Sequence, residues 1–194
     1  MIPIFDNGHG GVINGVYQTA GKRSPNWDKG VLYEGEFNRW IVDGVTKRLT
    51  ELNKEWYNVC AEPQDISLSD RVKRANSIHK KRKNTYLFSV HANAGGGTGW
   101  EIFTSPGQTK SDEIAEKYAQ DFKKNFPDHR ARVDMSDGDM DKEENFYILK
   151  NTIGPAVLFE VAFMDNKDDY AKLWDPNFRK RVIDSLVETT LKLY

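Results

Sequence analysis

The feature that most constrains the fold is a short apolar segment that runs directly into a polar residue, and it occurs three times. Residues 2–5 lead into the glycine-rich turn that carries His9, a second segment ends at His91, and the third contains Glu160. Short apolar segments bounded by glycine and small polar residues are typical of buried strands. Since the ligands of α/β proteins bind beyond the carboxyl ends of the strands, this repetition predicts one shared site.

One clear amphipathic helix is predicted between the first two segments. Apolar side chains recur at three-to-four-residue spacing from about residue 33 to residue 52. At this spacing Glu34 falls on the apolar face of the helix and Glu36 on the opposite face. A buried carboxylate is costly unless it is paired, hydrogen-bonded or bound to a metal. Glu34 is therefore either a metal ligand or a carboxylate favoured by the helix dipole in the first turn.

Glu160 interrupts the most apolar segment of the chain, Pro155–Phe163. No lysine or arginine lies close enough in sequence to pair with it. Burial disfavours the ionised form of a carboxyl group, so we expect the pKa of Glu160 to rise toward the working pH. A carboxyl group with such a pKa is suited to general acid–base catalysis.

Strand and helix patterns alternate along the rest of the chain. Further predicted strands cover residues 59–61, 99–104 and 146–149, and further predicted helices cover residues 71–80, 111–126, 168–174 and 177–193. We expect Ser69 or Asp70 to cap the first of these helices, residues 12–30 to form a long loop, and residues 134–145 to form a solvated surface loop. The pattern predicts an α/β fold, a single domain over residues 1–194 whose mostly parallel central sheet is flanked by helices on both faces.

Composition and charge exclude several classes of protein. The 194 residues carry a formal net charge of −1, which gives no electrostatic reason to expect a nucleic-acid or membrane partner. The single cysteine excludes an internal disulfide, and no apolar segment is long enough to cross a bilayer. We expect a monomer, made in the cytoplasm because no basic signal-peptide region precedes the first strand.

Two further histidines lie in charged stretches. His79 is followed by Lys80-Lys81-Arg82-Lys83, and His129 lies between Asp128 and Arg130. Cations at the C-terminal end of a helix are favoured by the dipole and normally face solvent. We therefore expect both histidines to be exposed, and His79 to be a poor candidate for a metal ligand.

The remaining candidates form a recognisable set of metal ligands. His9, Glu34 and His91 each lie at the C-terminal end of a predicted strand or in the first turn of the next helix. Two histidines and one carboxylate with an open fourth position are a usual ligand set of catalytic zinc. Glu160 would remain as the separate group that moves protons. The alternative is that all four are polar residues with structural hydrogen bonds, and a histidine in a glycine turn is by itself more often structural.

Five motifs give the chain a specific resemblance. It resembles the zinc-dependent N-acetylmuramoyl-L-alanine amidases of the third type, a family that includes phage endolysins. The motifs occur in the family's order and cover nearly the whole chain. They are Asp6-Asn7-Gly8-His9-Gly10-Gly11, Glu34 followed by Asn38, and the segments Ser67–Asn76, Ser89–Ala94 and Pro155–Asn166.

The resemblance implies a reaction and a role for each candidate residue. Zn²⁺ would be bound by His9, Glu34 and His91, and Glu160 would be the catalytic acid–base. The substrate would be bacterial peptidoglycan, cleaved at the amide between the lactyl group of N-acetylmuramic acid and L-alanine. The family fold is a mostly parallel sheet flanked by helices, in agreement with the fold predicted from the residues.

Some features of the substrate site are left open by the resemblance. Asn7 stands where the family usually has proline, and residues 12–33 form a longer loop than in many relatives. Asn93, next to the second histidine motif, is a candidate substrate contact. Tyr17 and Trp27 in the long loop are either further substrate contacts or anchors that hold the loop against the body of the protein.

The biological setting is also an implication of the resemblance. Regulated members carry a blocking helix after the strand that corresponds to residues 99–104, and only a short turn and an ordinary helix follow here. We therefore expect an enzyme without an activator or a separate cell-wall-binding domain. A phage or prophage lysin, held in the host cytoplasm before lysis and acting on the cell wall, fits this pattern.

Two other functions are compatible with the same residues. A zinc peptidase on a similar fold would cut within the stem peptide of peptidoglycan instead of at its attachment to the sugar. A catalytically inactive module would bind the cell wall and release nothing from it. The products released from peptidoglycan distinguish these three functions.

Overall fold

Strands and helices alternate along the chain, which a computed structural model describes over residues 1–194. The strands are β1 (Ile2–Asp6), β2 (Val12–Ile13), β3 (Val16–Tyr17), β4 (Tyr57–Asn58), β5 (Thr85–Asn93), β6 (Glu101–Thr104), β7 (Lys142–Glu143) and β8 (Ala156–Phe163). The helices are α1 (Glu34–Glu51), α2 (Leu68–Lys81), α3 (Lys110–Asn125), α4 (Tyr147–Lys150), α5 (Lys167–Trp174) and α6 (Pro176–Leu193).

Six of the strands form one sheet in the order β4-β1-β5-β8-β6-β7. Strands β4, β1, β5 and β8 are parallel, β6 runs antiparallel to β8, and β7 pairs parallel with β6. The predicted mostly parallel central sheet is therefore confirmed. Because β1, β5 and β8 are adjacent and parallel, their C-terminal ends lie side by side, where the candidate residues were expected to meet.

The two faces of the sheet pack against different helices. Phe5 and Phe88 point into a large core shared with α1, α3, α5 and α6, whereas Ile4 and Leu87 point to the other face. There they pack with Val72 of α2 and with α4. Successive side chains of a strand point to opposite faces, so each inner strand contributes to both layers. This arrangement confirms that helices flank both sides.

Helix α1 matches its predicted apolar stripe. Phe37 and Leu49 are fully buried, Glu34 is 3% exposed, and Glu36 is exposed. The helix packs on β5 and α6, so its first turn lies at the C-terminal end of the sheet. A carboxylate at this position is thereby carried into the site instead of into solvent.

Two short predicted strands are wrong in type or position. Residues 147–149 form part of helix α4, which follows Phe146 as its N-cap, because Ile148 and Leu149 bury a single helical turn against the smaller core. A short apolar run does not by itself distinguish a strand from a buried helical turn. The strand expected at residues 59–61 ends earlier, as β4. The Asn58 side chain accepts the Cys60 amide proton at 2.9 Å, a local hydrogen bond just beyond the end of this strand.

The boundaries around α2 and β5 also differ from the prediction. Helix α2 begins three residues earlier than expected and is capped by Ser67, not by Ser69 or Asp70. The Ser67 hydroxyl accepts the Asp70 amide proton at 3.1 Å and is 2.8 Å from the Asp70 carboxylate. Strand β5 continues to Asn93, so the second histidine lies in the strand and not in the loop that follows it.

The two segments predicted as loops contain a hairpin and buried residues that the sequence did not indicate. The segment 12–30 contains the hairpin formed by β2 and β3. In the acidic segment 134–145, residues 134–138 are exposed as predicted, but Met140 and Asp141 are buried. No helix of the structure combines the length and the apolar composition needed to cross a bilayer.

Candidate metal centre

The turn after β1 places His9 at the C-terminal end of the sheet. His9 has a φ of 56° and Gly8 a φ of 36°, so two successive residues adopt left-handed backbone conformations. A Cβ atom at Gly8 would lie 2.4 Å from Cε1 of His91, which leaves no room for any side chain. Glycine is therefore required at this position both by its backbone angles and by the close approach of a second imidazole.

The three predicted ligands converge on one point. Oε1 of Glu34 lies 3.2 Å from Nε2 of His9 and 2.9 Å from Nδ1 of His91. The ligand atoms of the three residues all lie within 4.8 Å of one another, and the two imidazole rings are nearly perpendicular, with centroids 5.2 Å apart. Three residues separated by up to 82 positions in sequence are thus brought together by β1, α1 and β5.

The electrostatics of this cluster favour an ionised carboxylate. Burial raises the pKa of Glu34, but hydrogen bonds from His9 and His91 outweigh it and hold the pKa below its ordinary value. Burial lowers the pKa of His91, and the hydrogen bond to Glu34 together with the nearby Glu160 outweighs it and raises the pKa. A divalent cation bound between the three residues would take the place of the hydrogen bonds that now join them. Two imidazole nitrogens and one carboxylate oxygen beside an open cavity fit zinc.

Glu160 lies on β8 directly beside the cluster. It is paired in register with His91 of β5 and lines the same cavity as the three candidate ligands. Its Oε2 atom is buried and has no hydrogen-bond partner. Burial is the main cause that raises the pKa of Glu160 to about 8, although His91 and Lys22 act in the opposite direction. The rise predicted from sequence is confirmed, and it leaves both protonation states accessible near neutral pH.

The candidate ligands lie at the base of an open cavity of about 620 Å³. Its walls include side chains that the sequence patterns did not indicate: Lys22, Leu68, Phe146, Tyr147 and Met164. Leu68 is 49% exposed and Tyr147 is 46% exposed, so both present apolar surface at the edge of the cavity. They come from the N-terminal ends of α2 and α4, whose position over the site only the fold reveals.

A profile of the N-acetylmuramoyl-L-alanine amidase family matches residues 4–190 of the chain. This span contains the whole sheet except the first two residues of β1, and all the residues of the cluster. The chain belongs to the N-acetylmuramoyl-L-alanine amidase family. Amidases of this family are zinc-dependent, and His9, Glu34 and His91 form a candidate metal site in this member.

Individual relatives agree with the family assignment. The chain is 34% identical over 184 residues to the N-acetylmuramoyl-L-alanine amidase CwlM of Bacillus licheniformis, an alignment that covers 89% of the chain and 61% of CwlM. It is 28% identical over 170 residues to the endolysin of Bacillus phage SPP1, covering 83% of the chain and 59% of the endolysin. The chain therefore spans about three fifths of the length of these two relatives.

Solved structures of the family share the fold. The N-acetylmuramoyl-L-alanine amidase from Clostridium difficile 630 superposes with a TM-score of 0.79 at 23% identity, over 98% of this chain and 95% of that one. The catalytic domain of the CD27L endolysin superposes with a TM-score of 0.68 at 22% identity, over 98% and 96% of the two chains. At these identities the comparison establishes the common fold.

The three candidate substrate contacts of this amidase-family chain lie in different surroundings. Asn93 lines the cavity, with its side-chain amide donating to Glu101 at 2.6 Å. Tyr17 accepts the amide proton of Gly35 at 2.9 Å, and the Trp27 ring packs edge-on against Tyr170 of α5. The structure brings neither of these two rings into the cavity. Their contacts hold the long loop against the body, and contact with a substrate stays a prediction for them.

The other two histidines of this amidase-family chain lie outside the cavity. His79 is partly buried, with Nδ1 2.9 Å from the Thr85 hydroxyl. His129 is only 5% exposed: its Nε2 donates to the Val161 carbonyl at 2.9 Å, and Lys172 donates to its Nδ1 at 3.1 Å. The prediction that both histidines are exposed is therefore wrong: His79 is only partly exposed, and His129 is buried because the turn after α3 packs its ring against aromatic side chains of the core.

Proposed function

We propose that the chain hydrolyses the amide between N-acetylmuramic acid and L-alanine in bacterial peptidoglycan. In this proposal His9, Glu34 and His91 hold Zn²⁺, and Glu160 is the catalytic acid–base. The observation that carries the proposal is that the three ligand atoms lie within 4.8 Å of one another at the base of the cavity. Glu160 lines the same cavity, and its Oε2 atom has no hydrogen-bond partner. Family membership supplies the reaction class.

The residues divide the chemistry between holding the metal and moving a proton. A zinc ion in such a site supplies Lewis-acid polarisation of the scissile carbonyl and lowers the pKa of water. Glu160 in its ionised form accepts the proton of the attacking water as the new carbon–oxygen bond forms. It then delivers that proton to the leaving nitrogen of L-alanine as the carbon–nitrogen bond breaks. The pKa of about 8 allows Glu160 to exist in both forms during one turnover.

The cavity walls offer both polar and apolar contacts to a substrate made of sugars and peptides. Lys22 and Asn93 present polar groups, whereas Leu68, Phe146 and Tyr147 present exposed apolar surface. Pockets of this mixed character fix orientation with a few polar groups and gain affinity from apolar contact. We propose that these five residues contact the glycan or the stem peptide.

We also propose a biological setting. Residues 1–194 would be the catalytic domain of a phage or prophage lysin that acts as a monomer, is made in the host cytoplasm and attacks the cell wall. The similarity to the phage SPP1 endolysin supports this setting. The short connection between β6, which ends at Thr104, and α3, which begins at Lys110, supports activity without an activator, because no blocking helix is inserted there.

Digestion of purified peptidoglycan tests the proposal against its two alternatives. The amidase releases whole stem peptides whose masses are unchanged, and a chelator stops the release until zinc is restored. A product mixture that contains only shortened peptides would instead identify a peptidase. Equal binding of walls by the parent and by Glu160→Ala, with no release by either, would identify a binding module.

A further inference from the structure

A buried polar network lies behind the candidate metal ligands, on the side away from the cavity. Asp6, Ser89 and Arg71 are all 2% exposed or less, and they meet where β1 and β5 pair and α2 covers them. Buried polar and charged groups are costly unless their hydrogen bonds are satisfied. We therefore expect a network of this kind at the centre of the sheet to have a function in addition to filling the core.

One branch of this network fixes the imidazole of His91. The Ser89 hydroxyl donates to Oδ2 of Asp6 at 2.6 Å and lies 3.0 Å from Nε2 of His91. A serine hydroxyl carries only one proton, and here Asp6 receives it. Ser89 can therefore only accept at its other contact, so Nε2 of His91 donates the proton. Nδ1 faces Glu34, 2.9 Å away, and donates to that carboxylate in the absence of a metal. A metal bound on this side would take the place of that proton and use the Nδ1 lone pair.

Asp6 is held as an acceptor by two further donors. The thiol of Cys60 lies 2.8 Å from Oδ1 of Asp6, and Nη1 of Arg71 lies 3.4 Å from the same atom. A carboxylate that faces a hydroxyl, a thiol and a guanidinium can only accept hydrogen bonds. The direction of every hydrogen bond from Arg71 to His91 is thereby determined.

A second branch leads from Arg71 to the turn that carries His9. Nη2 of Arg71 donates to Oδ1 of Asp65 at 2.9 Å, and the Thr19 hydroxyl donates to Oδ2 of Asp65 at 2.8 Å. Thr19 in turn accepts the amide proton of Gly10 at 2.8 Å. The residue next to His9 is thus tied to the same guanidinium that supports the other histidine.

We propose that Arg71, Asp6 and Ser89 are positioning residues for the metal site. They hold His91 with its proton on Nε2 and its Nδ1 lone pair toward the metal, and through Asp65 and Thr19 they hold the turn that carries His9. The inference rests on the proposed function only in assuming that a metal binds to these histidines. Hydrogen-bonded partners behind metal-binding histidines generally fix the tautomer and raise metal affinity.

The affinity of the full chain for Zn²⁺, measured by competition with a chromophoric chelator, tests the network. Ser89→Ala is expected to weaken zinc binding by about 10- to 100-fold, and Ser89→Thr, which keeps the hydroxyl, to recover most of it. Ser185→Ala is the matched control. Ser185 is also buried, but its hydroxyl accepts a hydrogen bond from Asn125 and takes no part in this network. Thr19→Val tests the second branch and is expected to weaken binding less than Ser89→Ala does.

The tautomer itself can be observed without changing any residue. In long-range ¹H–¹⁵N NMR spectra of the zinc-loaded parent, His91 is expected to show a proton on Nε2 that exchanges slowly with water. A protonated Nδ1 on His91 would overturn the proposal even if Ser89→Ala failed to fold. Unchanged zinc affinity in a folded Ser89→Ala protein would also overturn it, while leaving the amidase function intact. A parent that binds no zinc would overturn both.

Discussion

Glu160 of β8 lies opposite His91 of β5 in the register of the sheet, and its Oε2 atom is buried without a hydrogen-bond partner. The carboxyl group that we propose to move protons is thus set beside a candidate metal ligand by strand pairing, not by a flexible loop. Because both residues belong to rigid inner strands, their relative position is fixed before any substrate arrives. This relationship leads to separate predictions for catalysis and for metal binding.

Glu160→Gln should remove catalysis and keep the metal. The amide has nearly the same size as the carboxyl but cannot exchange protons in this way, so turnover should fall by about 10²- to 10⁴-fold. The measurement is the rate of peptide release from purified walls, together with the zinc content of the protein. Glu113→Gln, on the exposed side of α3, is the control and should act like the parent. Full activity in Glu160→Gln would remove its assigned role.

Removal of the metal should lower the thermal stability of the protein. Metal binds the folded state and not the unfolded one, so zinc at about 100 times its Kd adds about 2.7 kcal/mol to the free energy of unfolding. The unfolding temperature should fall with a chelator and recover with zinc. His9→Ala should lose this zinc-dependent rise, whereas His79→Ala, outside the cavity, should keep it. Equal responses of the two variants would contradict the ligand assignment.

The close approach of Gly8 in the turn after β1 to the imidazole of His91 gives a prediction about steric fit. Gly8→Ala places a methyl group 2.4 Å from Cε1 of His91 and should abolish high-affinity zinc binding. Gly15→Ala is a matched control, because Gly15 also has a positive φ but has no atom within 4 Å of the added Cβ. The control should lower stability by about 1 kcal/mol through its backbone angles and leave zinc binding unchanged. Zinc binding by Gly8→Ala at the parent affinity would show that the close approach is not needed.

Asp141 gives a prediction about pH and stability away from the site. Burial and the neighbouring Asp139 raise its pKa to about 7, although the Thr104 hydroxyl acts in the opposite direction. A raised carboxyl pKa means that the folded state holds the proton more tightly, so stability is lost as the pH rises from about 4 to about 7. Asp141→Asn should therefore raise the unfolding temperature at pH 8 and change it little at pH 3.5.

Asp137→Asn serves as the control for Asp141→Asn. Asp137 lies in the exposed part of the same acidic segment, so its substitution should have little effect at either pH. An equal gain of stability from Asp141→Asn at both pH values would show that folding does not raise the pKa of Asp141.

Much of the fold and the candidate cluster follows from local patterns in the sequence. The apolar stripe of α1 is long and periodic, which placed Glu34 on the buried face and Glu36 on the exposed face. The three apolar segments are inner strands, so the residues at their ends had to meet at one edge of the sheet. The position of this long periodic helix and the meeting of the polar residues at one edge of the sheet are therefore set by local sequence, and both predictions are confirmed.

The errors concern residues whose state depends on distant partners. Residues 147–149 are helical because Ile148 and Leu149 pack on the smaller core, and His129 is buried because its ring packs among aromatic side chains contributed by other elements. The network of Asp6, Ser89 and Arg71 joins residues up to 83 positions apart, so no local pattern indicates it. The same holds for the cavity wall at Tyr147, which only the folded chain brings over the candidate metal centre.

Counting the new amino groups formed on purified cell walls tests the proposed hydrolysis most directly. Each cut at the predicted bond frees one L-alanine amino group and no reducing sugar end, so labelled L-alanine should accumulate with zinc-loaded protein and not with Glu160→Gln. Labelled amino ends on other residues, or new reducing ends without labelled L-alanine, would contradict the assignment of the reaction.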